Sequence, residues 1–149
     1  MTLVHLRRAG VSDAAAIAEF QTSCWNDVYA GRVSDAYLAA TTADVREARW
    51  RDRLAGARDV IVACDPEIVG VVSWVRGELC SLYVARSRWG TGVADALLEA
   101  SLDDSSAFLW VFEANARARA FYARHGFVDT GERAFDADTG LSELRMERQ

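Results

Sequence analysis

The sequence predicts an α/β fold (α+β by some schemes) in which a mixed, mostly antiparallel central sheet is flanked by helices. Two observations lead to this prediction. Runs rich in β-branched residues occupy 59–64 and 68–75, and the turn sequence Asp65-Pro66-Glu67 separates them, which predicts an antiparallel hairpin. Further along the chain, strand-like and helix-like segments alternate, so crossover connections are needed as well as hairpins.

The N-terminal third is predicted to be mainly helical. Residues 3–7 alternate apolar and polar side chains, which favours a short strand. A Ser-Asp pair then precedes apolar residues at helical spacing, which predicts a helix over 14–24. A second helical stretch starts at residues 34–35, has a possible breakpoint at 41–42, and is closed by Gly56.

The rest of the chain is predicted from the same apolar patterns. Two glycine-containing segments mark helix boundaries, and Gly126 fits the left-handed position that often follows a helix. After the hairpin, the predicted elements are strand 78–85, helix 93–102, strand 107–113, helix 115–124, strand 127–132 and strand 141–147.

Length and composition predict a single domain spanning residues 1–149. The chain has one proline, no low-complexity linker and a hydrophobic fraction of 51%, enough for one core. No apolar run approaches the roughly 20 residues of a membrane span, and the N-terminus lacks a signal-peptide pattern. Cys24, Cys64 and Cys80 are odd in number and have no C-x-x-C spacing, so we expect reduced thiols, no metal and a cytoplasmic protein.

Charge argues against nucleic acid as a partner. The net charge is −5, and no basic tract exceeds a pair of neighbouring residues, whereas sequence-independent nucleic-acid binding needs clustered positive charge. The sequence leaves the oligomeric state open, with a homodimer as one alternative.

The segment 82–98 carries the strongest chemical signal, because it reads as strand, glycine-containing loop and helix. Gly90 and Gly92 leave backbone amides uncrowded at a helix start, where the helix dipole favours an anion such as a pyrophosphate. A plain strand-to-helix turn explains the loop about as well. The chain has no lysine for a Walker loop, and Asp95 stands where a dinucleotide fingerprint needs a third small residue.

This segment resembles the acetyl-coenzyme A (acetyl-CoA) motif of the GNAT superfamily of N-acetyltransferases, written [Q/R]-x-x-G-x-[G/A]. Gly92 matches the glycine of the motif and Ala94 its final small residue, after the strand residues Leu82-Tyr83-Val84. Trp89 stands at the Gln/Arg position, a departure that puts a side-chain contribution there in doubt.

A second segment also resembles this family. Residues 111–127 match its pattern V-x-x-x-N-x-x-A-x-x-F-Y-x-x-x-G-F, with Asn115 and Tyr122 at the polar positions. The order of the two segments and the predicted elements agree with the family, so the resemblance covers nearly the whole chain.

The resemblance implies an enzyme that moves the acetyl group of acetyl-CoA to an amine of a small molecule or peptide by direct attack. It implies that the strand main chain pairs with the pantetheine arm, that the loop amides hold the pyrophosphate, and that an asparagine after the next strand binds the pantetheine amides or caps the following helix. The implied coenzyme-binding residues are Leu82, Tyr83, Val84, Trp89, Gly90, Thr91, Gly92, Val93, Ala94 and Asn115.

The resemblance also implies that Tyr122 protonates the departing thiolate. We expect a carboxylate to take the proton of the amine, and Glu78 at the start of the central strand is the first candidate, with Glu113 the second. Trp25 and Tyr29 share a helix face and could wall the acceptor site, although core packing explains them better. A catalytically idle acyl-CoA-binding regulatory module and an unrelated nucleotide-binding domain remain as alternatives.

Overall fold

The computed structural model describes residues 4–102 and 105–149. Its helices and strands follow the predicted order closely, and two short 3-10 turns, Val11–Asp13 and Arg86–Arg88, precede the first helix and the glycine loop. In chain order the elements are β1 (His5–Arg8), α1 (Ala14–Tyr29), α2 (Asp35–Ala40), α3 (Ala43–Ala55), β2 (Asp59–Cys64), β3 (Ile68–Val75), β4 (Glu78–Val84), α4 (Val93–Leu102), β5 (Ala107–Phe112), α5 (Ala116–Arg124), β6 (Val128–Asp136) and β7 (Leu141–Arg148).

The strands form one seven-stranded sheet in the order β1-β2-β3-β4-β5-β7-β6. Every neighbouring pair is antiparallel except β4 and β5, which run parallel. The predicted mixed, mostly antiparallel sheet is therefore confirmed, and so is the hairpin of β2 and β3. The parallel pair is joined by α4, as a crossover connection requires.

The N-terminal helices differ from the prediction in the length of α1, whereas the break at residues 41–42 is confirmed. Helix α1 continues past residue 24 to Tyr29, because Trp25 and Tyr29 pack their rings against Phe112 of β5 at centroid distances of 5.8 and 5.4 Å. The second helical stretch does break, and the side chains of Ser34 and Thr42 accept amide hydrogen bonds at the starts of α2 and α3.

Strand ends account for the remaining differences. Strand β1 starts at His5, and Leu3, where the predicted strand began, lies outside the described residues. Strand β6 runs to Asp136 instead of stopping near residue 132. Its register against β7 is irregular between Asp129 and Arg133 and then resumes, which the charged sequence around that point did not indicate.

Apolar residues cover both faces of the sheet. On one face α1 and α3 pack against β2 and β3 through a cluster that includes Ile17, Trp50 and Val62. On the other face α4 and α5 cover the centre of the sheet through Leu97, Leu98 and other buried side chains. Within the described part of the chain, no helix is long and apolar enough to cross a membrane.

The two parallel strands in the middle of the sheet separate soon after they begin. Strands β4 and β5 are paired only at Glu78 with Phe108. The register between β3 and β4 shifts so that Ser73 faces Ser81 and Trp74 faces Leu79, which leaves Cys80 as an extra residue in β4. A bulge of this kind bends a strand, and here it accompanies the divergence of β4 from β5.

Helix α4 lies close against β3 because residue 70 has no side chain. A Cβ on Gly70 would stand 2.7 Å from Cδ1 of Leu97 and 3.2 Å from Cγ1 of Val93. Both neighbours are almost fully buried and have little room to move. This close contact fixes the first turn of α4, and with it the glycine loop, against the sheet.

We therefore predict that Gly70→Ala destabilises the fold by roughly 1–3 kcal/mol, the usual cost of overpacking a dense core. Urea unfolding measures the change. Gly10→Ala is the matched control, because Gly10 has φ −117° and nothing within 4 Å of its added Cβ. Equal stabilities for the two variants would mean that the contact at Gly70 does not constrain α4.

Candidate functional site

The gap between β4 and β5 opens a cavity of about 440 Å³. A second cavity of about 260 Å³ lies beside the glycine loop and α5. The two cavities adjoin and share part of their lining; together they are called the cleft, which extends from the start of α4 to the end of α1. The residues in the lining of both are Leu82, Val84, Trp89, Arg117, Ala118 and Tyr122.

The glycine loop presents free backbone amides to the smaller cavity. Gly90 and Gly92 adopt φ of 75° and 93°, which only glycine takes readily. The first hydrogen bond of α4 runs from the amide of Ala96 to the carbonyl of Gly92, so the preceding amides of Val93 and Ala94 have no partner within the helix. Such amides at the positive end of a helix dipole form an anion site.

The lining of the same cavity includes three arginines. Of the charged residues in its lining, Arg88 is paired with Asp65 at 2.9 Å, and Asp95 is 2.7 Å from the ring of His125. Arg117 and Arg124 have no carboxylate partner among the described residues and lie over aromatic rings instead. The loop and its surroundings therefore favour an anionic ligand.

Trp89 reaches into the cleft, which the motif alone did not indicate. Its indole Nε1 donates to the carbonyl of Val84 at 3.1 Å, and the guanidinium of Arg117 lies 3.6 Å from the centre of its ring. The indole thus uses one of the β4 acceptors that we expected to serve the pantetheine arm. The pair of Trp89 and Arg117 joins β4 to α5 across the boundary of the two cavities.

Tyr122 lies at the junction of the two cavities. Its ring is 8% exposed and packs against Phe127 and Phe121 at centroid distances of 5.8 and 5.4 Å. Its hydroxyl donates to no acceptor in the described part of the chain. Burial raises the pKa of Tyr122 well above its ordinary value, with smaller contributions from Tyr83 and Tyr29, so the phenol keeps its proton at neutral pH.

Aromatic side chains form the far end of the larger cavity. The rings of Trp25 and Tyr29 are 4.3 Å apart, and Phe112 completes the group. The amide of Asn115 donates to the hydroxyl of Tyr29 at 3.0 Å, while its oxygen accepts from the amide of Ala118 as the cap of α5. The predicted cap is therefore present, and the same side chain also orients Tyr29.

Tyr83 links this end of the cavity to the core. Its hydroxyl accepts from Nε2 of Gln21 at 3.3 Å and from the indole Nε1 of Trp25 at 3.4 Å. Gln21 in turn accepts a 2.7 Å hydrogen bond from the buried indole of Trp50. Hydrogen-bonded side chains of this kind hold one another in a single arrangement, so contacts with the core fix the orientation of Trp25.

The structure brings most of the predicted site residues to the cleft. Glu78 and Glu113 lie outside both cavities, and Thr91 and Val93 contribute no side chain to either. The hydroxyl of Thr91 donates to the carbonyl of Arg88, and Val93 is buried in the core. The predicted residues in the lining are Trp25, Tyr29, Leu82, Tyr83, Val84, Trp89, Gly90, Gly92, Ala94, Asn115 and Tyr122.

Sequence reasoning missed Arg117, Glu143 and the position of two cysteines. Arg117 follows Asn115 by two residues in the second motif and could have been found there. Glu143 is one of several charged residues in β7, and nothing in the local pattern distinguishes it. Cys24 and Cys80 also line the larger cavity, and burial raises the pKa of both thiols, that of Cys24 to about 12.

Metal ligands are not gathered at this site. Among the residues that the structure describes, no group of three or more His, Cys, Asp or Glu side chains could hold a metal ion. The chemistry offered by the cleft is that of backbone amides, arginines, phenols, thiols and carboxylates.

Comparison with known families gives one matching model, described as an acetyltransferase (GNAT) domain, over residues 25–149. Relatives described as uncharacterized N-acetyltransferases of Mycobacterium tuberculosis and Mycobacterium bovis are 34% identical over 106 residues, which cover 62% of this chain and 68% of each relative.

Solved structures share the fold over nearly the whole chain. The PaiA N-acetyltransferase of Thermoplasma acidophilum, in complex with coenzyme A, has a TM-score of 0.83 at 17% identity and 99% coverage of both chains. A Corynebacterium glutamicum structure described as histone acetyltransferase HPA2 and related acetyltransferase has a TM-score of 0.73 at 25% identity, covering 99% of this chain and 96% of the other.

The buried phenol of Tyr29 leads to a prediction on stability at alkaline pH. Burial raises its pKa to about 12, partly offset by the hydrogen bond from Asn115, whereas an unfolded tyrosine titrates near about 10. The folded state therefore holds this proton more tightly. The stability that results is fully present below about pH 10 and is lost as the pH rises towards 12.

In Tyr29→Phe, we expect the free energy of unfolding to fall less steeply over that range, by up to about 1.4 kcal/mol per pH unit. Urea unfolding between about pH 9 and 12 measures both slopes. The variant also loses the hydrogen bond to Asn115, so its absolute stability falls at every pH, and only the slope tests the prediction. Parallel curves for wild type and variant would contradict it.

Proposed function

We propose that this chain, which belongs to the GNAT acetyltransferase family, transfers the acetyl group of acetyl-CoA to an amine of a small molecule or peptide. The observation that carries the proposal is the cleft formed by the two adjoining cavities beside β4. It begins at the free amides of the glycine loop, passes Tyr122 and ends at the aromatic rings of α1.

The cleft has donors and acceptors that fit a long, anionic coenzyme. The amides of Val93 and Ala94 and the charges of Arg117 and Arg124 suit the pyrophosphate. A Cβ at Gly92 would meet nothing within 4 Å, so the space beside the loop is open to a ligand. The unpaired edge of β4 can pair with the amides of the pantetheine arm, as an extended peptide pairs with a sheet edge.

One acceptor on that edge is already in use. The indole of Trp89 donates to the carbonyl of Val84, so a pantetheine amide could use that carbonyl only beside the indole or in its place. Sγ of Cys24 also donates to this carbonyl at 3.9 Å, and a carbonyl oxygen has two lone pairs, so a pantetheine amide would displace either the thiol or the indole. We propose that Trp89 lines the arm of the coenzyme and that Asn115 remains the cap of α5.

Tyr122 is suited to act as the general acid. It lines both cavities, its hydroxyl is free to donate, and burial keeps its pKa high, so the group is a phenol at neutral pH. When the thioester breaks, the thiolate needs a proton, and a phenol at the junction of the cavities can provide it.

We further propose direct attack by the acceptor amine without an acyl-enzyme. A cysteine nucleophile acts as a thiolate and needs a base or a lowered pKa. Burial raises the pKa of Cys24 and Cys80, the two thiols of the cleft, and neither has a histidine partner among the described residues. The three free thiols also fit a reducing compartment, and we propose the cytoplasm.

For the coenzyme we predict that acetyl-CoA and CoA bind in preference to NAD and ATP, and that Gly92→Val weakens CoA binding at least tenfold, about 1.4 kcal/mol. The added side chain would fill the space beside the loop amides and strain a backbone with φ of 93°. Calorimetric titration measures the affinities.

Gly77→Val is the control for backbone strain, because Gly77 also has a positive φ, 84°, but lies in the turn between β3 and β4, outside both cavities. It should bind CoA as wild type does. Tight NAD binding without heat from CoA, or unchanged CoA affinity in Gly92→Val, would contradict the placement of the pyrophosphate.

For the acid we predict that Tyr122→Phe lowers kcat by about 10²–10⁴ and leaves the affinity for acetyl-CoA nearly unchanged, because the variant loses only the hydroxyl. Thiol release over a panel of amines measures turnover, and calorimetry measures binding. Tyr37→Phe removes a hydroxyl outside both cavities and should keep the wild-type rate.

Full activity in Tyr122→Phe would assign the proton to another residue or to water. If wild type binds CoA and releases no thiol with any amine, the chain is instead a binding module without catalysis.

A further inference from the structure

Glu143 is a half-buried carboxylate of the cleft that has no partner among the described residues. It lies on β7, is half-buried, and forms part of the lining of the larger cavity. In the part of the chain that the structure describes, its side chain makes no hydrogen bond or ion pair. Asp27 is the other carboxylate in this lining, but it is exposed on α1.

The register of the sheet fixes where Glu143 points. It pairs with Phe112 across β5 and β7, and the next residue, Leu144, is 1% exposed and packs in the core on the opposite face. Side chains alternate along a strand, so Glu143 lies on the face of Phe112, where Trp25 and Tyr29 also pack. The carboxylate therefore stands at the aromatic end of the cleft.

Titratable and charged groups near this carboxylate come from α1, the segment after it, β6 and β7. Tyr29 on α1 is within electrostatic reach, since Glu143 adds to the effect of burial on the Tyr29 pKa. Asp136 on β6 is a further negative neighbour. Arg32, after α1, donates to the carbonyl of Ala114 at 3.1 Å, and Arg145, two residues along β7, is paired with Glu147 at 2.8 Å.

The environment raises the basicity of Glu143. Burial is the main cause that raises its pKa, and the charge of Asp136 adds to it. A raised carboxyl pKa makes the carboxylate a better proton acceptor near neutral pH. A cation placed beside Glu143 would stabilise the carboxylate. It would compensate both for the lost hydration and for the repulsion by Asp136.

We propose that Glu143 binds the ammonium group of the acceptor and takes the proton that must leave before the nitrogen can attack. This inference rests on the acetyltransferase function proposed above. The acceptor it predicts is an alkylamine that is protonated at neutral pH, with its carbon chain against the rings of Trp25, Tyr29 and Phe112. Cations bind well over such rings.

The proton count is balanced. Of the three N–H protons of the ammonium, one passes to Glu143 and from there to solvent. The nitrogen then forms a bond to the acetyl carbon, the carbon–sulfur bond breaks, and its electron pair goes to sulfur. Tyr122 gives its proton to that sulfur and recovers one from the nitrogen, which keeps the third proton in the amide product.

The test compares two amines. The first is 2-phenylethylamine, which is an ammonium ion at neutral pH, and the second is aniline, which is already a free base there. In Glu143→Gln we expect kcat/KM for 2-phenylethylamine at pH 7 to fall by about 10²-fold or more, and the loss to shrink as the pH rises towards 10. The loss with aniline should be several-fold at most, because there is no ammonium proton to remove.

Three controls accompany this variant. Glu147→Gln makes the same charge change on the same face of β7, outside both cavities, and should keep the wild-type rate with either amine. Glu143→Asp keeps the carboxylate and should recover part of the activity. Calorimetry with acetyl-CoA should give wild-type affinity in every variant, which shows that each has folded.

Each further outcome has a distinct meaning. Equal losses for the two amines in Glu143→Gln, or a pH profile like that of wild type, would overturn the role of Glu143 alone. A loss confined to Glu78→Gln would assign the base to Glu78 and overturn the inference as well. If wild type releases thiol with neither these amines nor any other, the acetyltransferase function fails and the role of Glu143 fails with it.

Discussion

The pairing of β4 with β5 at one position, Glu78 with Phe108, is the constraint on which the cleft depends. Beyond that position the two strands diverge, while β4 stays paired with β3 and β5 with β7. The sheet therefore opens between β4 and β5, where the backbone groups of two adjacent strands would otherwise pair with each other. The cavity, the free edge of β4 and the meeting of α1 with α5 across the gap all follow from this divergence.

Much of the fold could be predicted because the signals are local. The β-branched runs, the caps at Ser34 and Thr42 and the glycine after α5 each depend on a few neighbouring residues, and the structure has them where the sequence indicates. The extra turns of α1 were missed because they depend on Phe112, which is distant in sequence. The extension of β6 was missed because the strand is mostly exposed and has no apolar alternation, so only its pairing with β7 defines it.

The site residues also divide into those that local motifs predict and those that depend on contacts distant in sequence. Gly92, Asn115 and Tyr122 lie within motifs of fixed spacing, and the cleft includes all three. Glu143 could not be found from its neighbours, because its importance comes from the register that sets it opposite Phe112. Glu78 drew attention by its place at the start of the central strand, and the parallel pairing there leaves it at the closed end of the gap.

The burial of the two cysteines in the cleft has a consequence for the acetyl transfer proposed above. A thiolate beside a thioester exchanges acyl groups readily, and the protein would then acetylate itself in place of the acceptor. With the pKa of Cys24 near 12 and that of Cys80 also raised, both remain thiols at neutral pH. Under the proposed function, the raised pKa values of these thiols would thus protect the acetyl group from the sulfur atoms of the chain itself.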